Sequence, residues 1–394
     1  MNLKSWVCAG VLAVGCLVGA RVMVAQGVGP KVFLVDPGKL AAAKAHPDAE
    51  LVKMAKAGAE RAMRQAPVSV TMSKQAPGSE DKHDYVSLAR YFWPNPATAD
   101  HLPYVRHDGQ SNPEIHEYKD HEYLDEVAGG SRALALGWYL TGDERYAGHA
   151  AVLLRTFFLT PETAMNPNLE HAQFIPGVNT GRGTGVRDAR GLALVVDAVG
   201  MLAGSKSWTA ADQAGMVAWM SAYYGWLTTS EHGKAEAAAA NNHGSWYAAQ
   251  AASIAMFLGK TEDARKIAER VREERIPAQI DAKGDQRLEL ARTNSFSYSA
   301  FNVEALTELA AIVSSTGVDL YKPAKAGDSG ILVALNALMP YDSGHAWPHQ
   351  QITKGLEKGI CAPLSRASAH TGEAKYVDAE RRFDCGTDAF KMME

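Results

Sequence analysis

From residue 121 into the 330s, stretches of helix-forming residues follow one another with almost no strand signal between them. That succession limits the chain to an all-α architecture. Composition and apolar spacing predict helices at about 121–141, 143–158, 188–203, 209–228, 235–258, 261–275, 297–315 and 328–338, after one at 40–64 rich in Ala, Lys, Glu and Met. Gly142, Gly259 and Gly317 stand where helices should stop, and Asp143, Thr209 and Thr261 where they should start. Only 67–72 alternates briefly like a strand. With no βαβ alternation and no Gly-rich phosphate loop, Rossmann and P-loop folds are excluded. Helix pairs in this number suit hairpins closing into an α/α toroid. A bundle or a solenoid buries its faces in the same pairwise way and stays open on this ground alone. The 394 residues exceed one ordinary compact core but not a single toroid.

Residues 1–26 read as a secretory signal: Lys4 leads an apolar run, Arg21 ends it, and Val24-Ala25-Gln26 offers a cleavage neighbourhood. A retained anchor is the alternative, but the run is short for a bilayer of about 30 Å; a lipoprotein signal ending at Cys16 is another. The expected mature protein is one domain over 27–394, periplasmic or secreted, with no membrane span. It carries formal charge −6, because the leader takes away Lys4 and Arg21 and no acid. That charge gives no basic excess for nucleic acid. Cys361 and Cys385 remain, available for a disulfide in an oxidising compartment.

Two polar clusters interrupt the helical pattern. Asn241-Asn242-His243-Gly244 breaks an Ala-rich helix, where amides and Gly are locally costly and, if buried, need partners. The alternative is a kink whose polar groups cap neighbouring backbone. Arg292 and Tyr298 flank Thr-Asn-Ser-Phe-Ser; six residues are about 600° of helix, so both reach one cleft only if Arg292 precedes the helix. The alternative there is a polar N-cap with Arg292 paired to Glu289. Asn, His, Arg and Tyr together suit β-elimination on a uronic acid polymer. Amide, imidazole and guanidinium neutralise the carboxylate beside C5, and a phenol lowered by a close Arg takes the proton. No cofactor is required. The plentiful histidines show no HExxH or equivalent metal spacing.

The chain resembles the alginate lyase superfamily of α/α-toroid polysaccharide lyases. Family 38 is the nearer match and family 5 the more distant one. The resemblance rests on Asp84–Ser87, Tyr91-Phe92-Trp93-Pro94, 104–114, 166–185, 241–246 and 292–302. It implies an α/α toroid acting on an anionic polysaccharide. Asn242 and His243 would neutralise the carboxylate, with His243 as base toward the opposite epimer. Arg292 would tune the tyrosine or bind the carboxylate, and Tyr298 would be base and acid. Asn241 is a second carboxylate clamp. Trp93 and Trp347 would stack on sugars, Arg106, Arg182 and Arg187 would pair with uronates, and Gln173 and His349 would bind hydroxyls. The aromatic loop at 85–116 is the expected lid. The rivals are a toroid glycoside hydrolase, which needs two carboxylates, and a non-catalytic exported glycan-binding protein.

Overall fold

The computed structural model describes residues 30–393 apart from 77, 326–329, 343, 355 and 356, so the expected leader lies outside the described residues. Its helices are α1 Pro37–Ala45, α2 Ala49–Ala62, α3 Asp120–Thr141, α4 Glu144–Leu154, α5 Leu192–Leu202, α6 Ala210–Thr229, α7 Glu231–Ala238, α8 Asn242–Phe257, α9 Thr261–Arg270, α10 Ile276–Gln279, α11 Arg287–Leu290, α12 Ser295–Ile312, α13 Ile331–Leu338, α14 Cys361–Thr371 and α15 Ala374–Arg382. Neighbours in sequence pack as hairpins: α2 on α3, α3 on α4, α8 on α9 and α14 on α15. Longer-range contacts of α3 with α5, α5 with α8 and α8 with α12 join them side by side into an incomplete α/α toroid. Four short strands serve the loops. β1 Val86–Leu88 pairs in parallel with β4 His171–Phe174, and β2 Phe92–Trp93 pairs antiparallel with β3 Val105–Arg106.

Small residues let the central helices approach closely. On α8, Ala249, Ala252 and Ala255 are fully buried beside Ile254; on α12, Ala300, Val303 and Leu306 are equally enclosed. Each large apolar side chain so buried contributes about 1.5–3 kcal/mol. Phe33, Leu194, Tyr224 and Ile267 touch both main apolar clusters and make the interior continuous.

Several boundaries differ from the sequence expectation for identifiable reasons. The helix expected at 40–64 divides at His46-Pro47-Asp48, because Asp48 caps α2 by accepting from Leu51 N. The alternating stretch 67–72 ends in a single 3₁₀ turn, with Ser69 accepting from Thr71 N and donating to Thr163 O. Thr261 does not cap α9 but is its first residue, after Lys260. Asp143 and Thr209 do cap, the latter in a reciprocal box with Asp212. The helix expected at 235–258 is broken at 239–241. Helices α14 and α15, which the sequence did not announce, carry Cys361 and sit beside Cys385; the two cysteines form a disulfide. Among the described residues no helix is long and apolar enough to cross a membrane.

Asp120, fully buried at the start of α3, accepts from Val86 N at 2.8 Å and so anchors β1 at the root of the 85–116 segment. Burial pushes its pKa from 3.8 up to about 7, against the opposing pull of the Val86 N–H. The folded protein therefore holds this proton more tightly than the unfolded chain. Its stabilising effect is complete below pH 3.8 and is lost as pH rises through 7. Asp120→Asn should flatten that decline, worth on the order of 4 kcal/mol as an upper bound. Urea midpoints of both proteins across this window check it; parallel curves would contradict it.

Candidate active site

The break between α7 and α8 builds the first half of the site. Ala239 leaves helical geometry, and Asn241 is extended and caps α8 by accepting from His243 N. A break inside the protein strands carbonyls, which must find donors. Arg275 supplies two, to Ala237 O at 2.9 Å and Ala239 O at 2.6 Å; Gln279 Nε2 supplies two more, to Ala240 O and Asn241 O. Gly244 is required beneath this turn, since a Cβ would collide with Ala239 O and the Arg275 guanidinium.

Each of the three polar residues then meets a different environment. Asn242 is 1% exposed; its N–H and its Nδ2 donate to the two oxygens of Glu289, at 2.7 and 2.8 Å, while its Oδ1 is buried without a partner. Glu289 is itself buried, and burial raises its pKa against the two Asn242 donors and the charge of Arg292. His243 Nδ1 lies 2.6 Å from Glu236 Oε1, a buried carboxylate that fixes the ring and leaves Nε2 without a hydrogen bond among the described residues. Asn241 is partly exposed.

The second half is the loop before α12. Arg292 precedes the helix, as the spacing required. It pairs with Asp108, not with Glu289: Nε and Nη2 reach the two oxygens at 3.1 and 2.7 Å. Asp108 also accepts from Thr293 N and Oγ1 and from Arg106, so the 85–116 segment is docked onto this loop. Burial works against ionisation of Asp108, but the Arg292 and Thr293 donors win and hold its pKa down at about 2. Gly109 completes the junction at φ +75°, where a Cβ would strike Thr293 Oγ1. Gln350 and Gln351 cap the start of α12 from the far side.

The Arg292 guanidinium carbon lies 3.7 Å from the Tyr298 ring centroid, and the Tyr298 hydroxyl meets that of Tyr91 at 2.6 Å. The expectation that Arg292 leaves this phenol with a lowered pKa is corrected. Burial and Tyr91 push it well above the ordinary tyrosine value, and Arg292 only offsets part of that rise. The free site therefore holds a protonated Tyr298.

The expected subsite residues differ in how far they are committed to other partners. Gln173 is buried and committed: its Nε2 donates to Asp188, its N to Ser87 Oγ, and its two carbonyl oxygens accept from Arg182. Its φ of +51° is strained for a non-glycine, a cost of about 1–3 kcal/mol that this network sustains. Arg182 lies 5.1 Å from the Phe92 ring, its pKa pushed down to about 10 by burial. Trp93 and Arg106 sit on the β2–β3 hairpin; Trp93 donates to Gln110 O. His349 is exposed, its ring 5.0 Å from Trp347. Arg187 has no carboxylate within ion-pair distance among the described residues and faces Phe301 at 5.7 Å. No group of His, Cys, Asp or Glu suited to a metal ion occurs among the described residues.

A phenol, an imidazole with an acid behind it, carboxamides and arginines, in an α/α toroid, define a polysaccharide lyase. The family profile for alginate lyase matches residues 69–347, and the chain belongs to that family. An alginate lyase from Bacteroides ovatus is 33% identical, with a TM-score of 0.87 over 92% of this chain and 99% of that one. Alginate lyase A1-III from Sphingomonas species A1 shares the fold at 15% identity, with a TM-score of 0.59 over 93% of this chain and 96% of that one. No curated protein matches the sequence.

Glu236, Glu289, Asp108 and Tyr91 were not singled out from sequence as site residues. Removing the Asp108 carboxylate should release the loop it docks. Asp108→Ala is expected to lower the local opening free energy by about 3 kcal/mol, which raises amide exchange over 105–110 on the order of 100-fold. Hydrogen exchange with mass spectrometry reads this directly; unchanged protection there would show that other contacts hold the loop.

Proposed function

We propose that the protein cleaves a uronate polymer by β-elimination, with poly-mannuronate the first choice of substrate and glucuronan the second. The observation that carries this reading is Tyr298, set over Arg292 and hydrogen-bonded to Tyr91, with Asn242 held by Glu289, which lies in the field of the same Arg292. The 33% identical relative being an alginate lyase supports it. Because Asp108 already occupies Arg292, its guanidinium acts on the tyrosine. The substrate carboxylate is met by His243, Asn242, Asn241 and Arg187.

The reaction begins with transfer of the Tyr298 proton to solvent, for which the Tyr91 hydroxyl is the adjacent relay, accepting one proton as it releases its own. The phenolate takes the C5 proton, the C–H electron pair becomes the C4–C5 double bond, and the C4–O4 bond breaks. Tyr298 then returns the proton to O4. Mannuronate and glucuronate place H5 and O4 on one face, which one phenol can serve; His243 Nε2 is the base available to the opposite face. A hydrolase would need two free carboxylates. Asp108, Glu236 and Glu289 are each held by Arg292, His243 and Asn242.

We also propose that residues 27–394 work as one exported catalytic unit, an assignment supported by the apolar leader and the Cys361–Cys385 disulfide. Recovery of the protein from the cytoplasm with both thiols free would sink it.

Poly-mannuronate, poly-guluronate and glucuronan should be offered in parallel, with near-ultraviolet absorbance of the unsaturated end as readout. A rise on one polymer is expected, with Tyr298→Phe lowering kcat by about 10³-fold or more. New reducing ends without absorbance would instead mean hydrolysis.

A further inference from the structure

Asn242 and Glu289 form an arrangement with one atom left over. Both oxygens of the buried Glu289 carboxyl are satisfied by the same residue, through Asn242 N–H and Nδ2. The remaining polar atom of the amide, Asn242 Oδ1, is buried with no partner. Leaving such an acceptor unsatisfied costs about 1–3 kcal/mol. A second arrangement of the same atoms replaces that acceptor by donors, which stay unsatisfied until an acceptor arrives. With a proton on Glu289 Oε2 and the carboxamide turned over, Oδ1 accepts that O–H. Nδ2 then occupies the place of the orphaned oxygen and presents two N–H donors there. The first arrangement puts lone pairs at that buried position, the second puts donors there.

We propose that Glu289 is a positioning residue that takes up a proton when a uronate chain binds, turning the Asn242 carboxamide so that its N–H groups meet the substrate carboxylate. This rests on the lyase reading above and assigns a role to an acid that the chemistry itself does not use. The surroundings favour it. Glu289 is 2% exposed, and burial already favours its neutral form. The charged group facing it is Arg292, whose charge is largely met by Asp108 on the 85–116 segment. On α8 the neighbouring His243 is paired with Glu236 from α7, and on α12 Tyr298 lies over Arg292 with its hydroxyl on Tyr91. None of these donates a hydrogen bond to Glu289. An anion brought beside Asn242 adds negative charge and strengthens the preference for the neutral acid.

Binding is measured in the Tyr298→Phe background, where turnover is blocked. The probe is oligomannuronate, or the oligomer of whichever polymer the wild type cleaves. Calorimetry in buffers of different ionisation enthalpy should show proton uptake approaching one per site, and Glu289→Gln should abolish that component. Above the pKa of Glu289 in the free protein, affinity should fall about tenfold per pH unit, and Glu289→Gln should flatten the fall, since its amide supplies the donor at every pH. Glu289→Ala, checked for folding by its melting curve, should bind weakly at all pH values. Uptake that persists in Glu289→Gln, uptake absent from both proteins, or Glu289→Gln binding as weakly as Glu289→Ala overturns the proposal. Wild-type protein that forms no unsaturated product sinks the lyase reading; cleavage without Glu289-dependent uptake sinks this inference alone.

Discussion

The site depends on the way a buried helix is interrupted. An Ala-rich helix running unbroken from 231 to 257 would satisfy its own backbone and present no catalytic group. Breaking it at 239–241 takes the helical donors away from the Ala237, Ala239 and Ala240 carbonyls. Arg275 and Gln279 satisfy them from one neighbouring segment, and Glu289 takes the Asn242 N–H from a little further along the same chain. That stretch, 275–289, thus positions the turn that carries Asn241, Asn242 and His243. Ser245 and Asn302 both donate to Gln279 Oε1, so the same side chain joins the turn to α12. The two halves of the site are therefore set relative to each other by buried hydrogen bonds between rigid elements, which is how geometry is kept within the tolerance catalysis needs.

Burial then competes with charge, and the outcome differs by residue. For Asp108, two guanidinium bonds outweigh desolvation and the carboxyl stays ionised. For Tyr298, desolvation and the second phenol outweigh the same guanidinium, and the proton stays on. Both follow from a single cation shared between a carboxylate and a ring. The carboxylate holds two direct hydrogen bonds, while the ring receives only the field through its face. Arg292 makes Tyr298 less reluctant to ionise than its burial alone would allow.

Much of this was legible in the sequence, and what was not has a common cause. The all-α class, the central helices and the two polar clusters are local patterns: apolar spacing, helix stops and a run of amides where alanine should be; the toroid came with the family resemblance, since spacing alone left a bundle or a solenoid open. Arg292 ahead of its helix followed from rotation arithmetic alone. The partners were invisible because they are distant. Asp108 lies 184 residues from Arg292, and Glu289 lies 47 from Asn242. Glu236 lies only seven from His243, but the two meet across a helix break that no periodicity announces. Glu289 itself stood close enough to Arg292 to suggest a local pair. Its commitment to Asn242 instead depends on how α8 and the 287–294 segment pack.

These hidden acids bear on how a protein of negative formal charge receives a polyanion. Within the site Arg106, Arg182, Arg187 and Arg292 are set against Asp108, Asp188, Glu236 and Glu289, so the formal charges cancel. The acids beneath Arg106, Arg292, His243 and Asn242 fix geometry but weaken the field that a uronate chain requires. A proton can restore part of it, and Glu289, whose buried carboxyl favours its neutral form, is the group placed to take one. Each proton gained there shifts the site by one positive charge without moving any backbone. The cleft can thus be nearly neutral when empty and gain positive charge as the polymer enters, while Arg106 and Arg292 stay paired with Asp108 throughout.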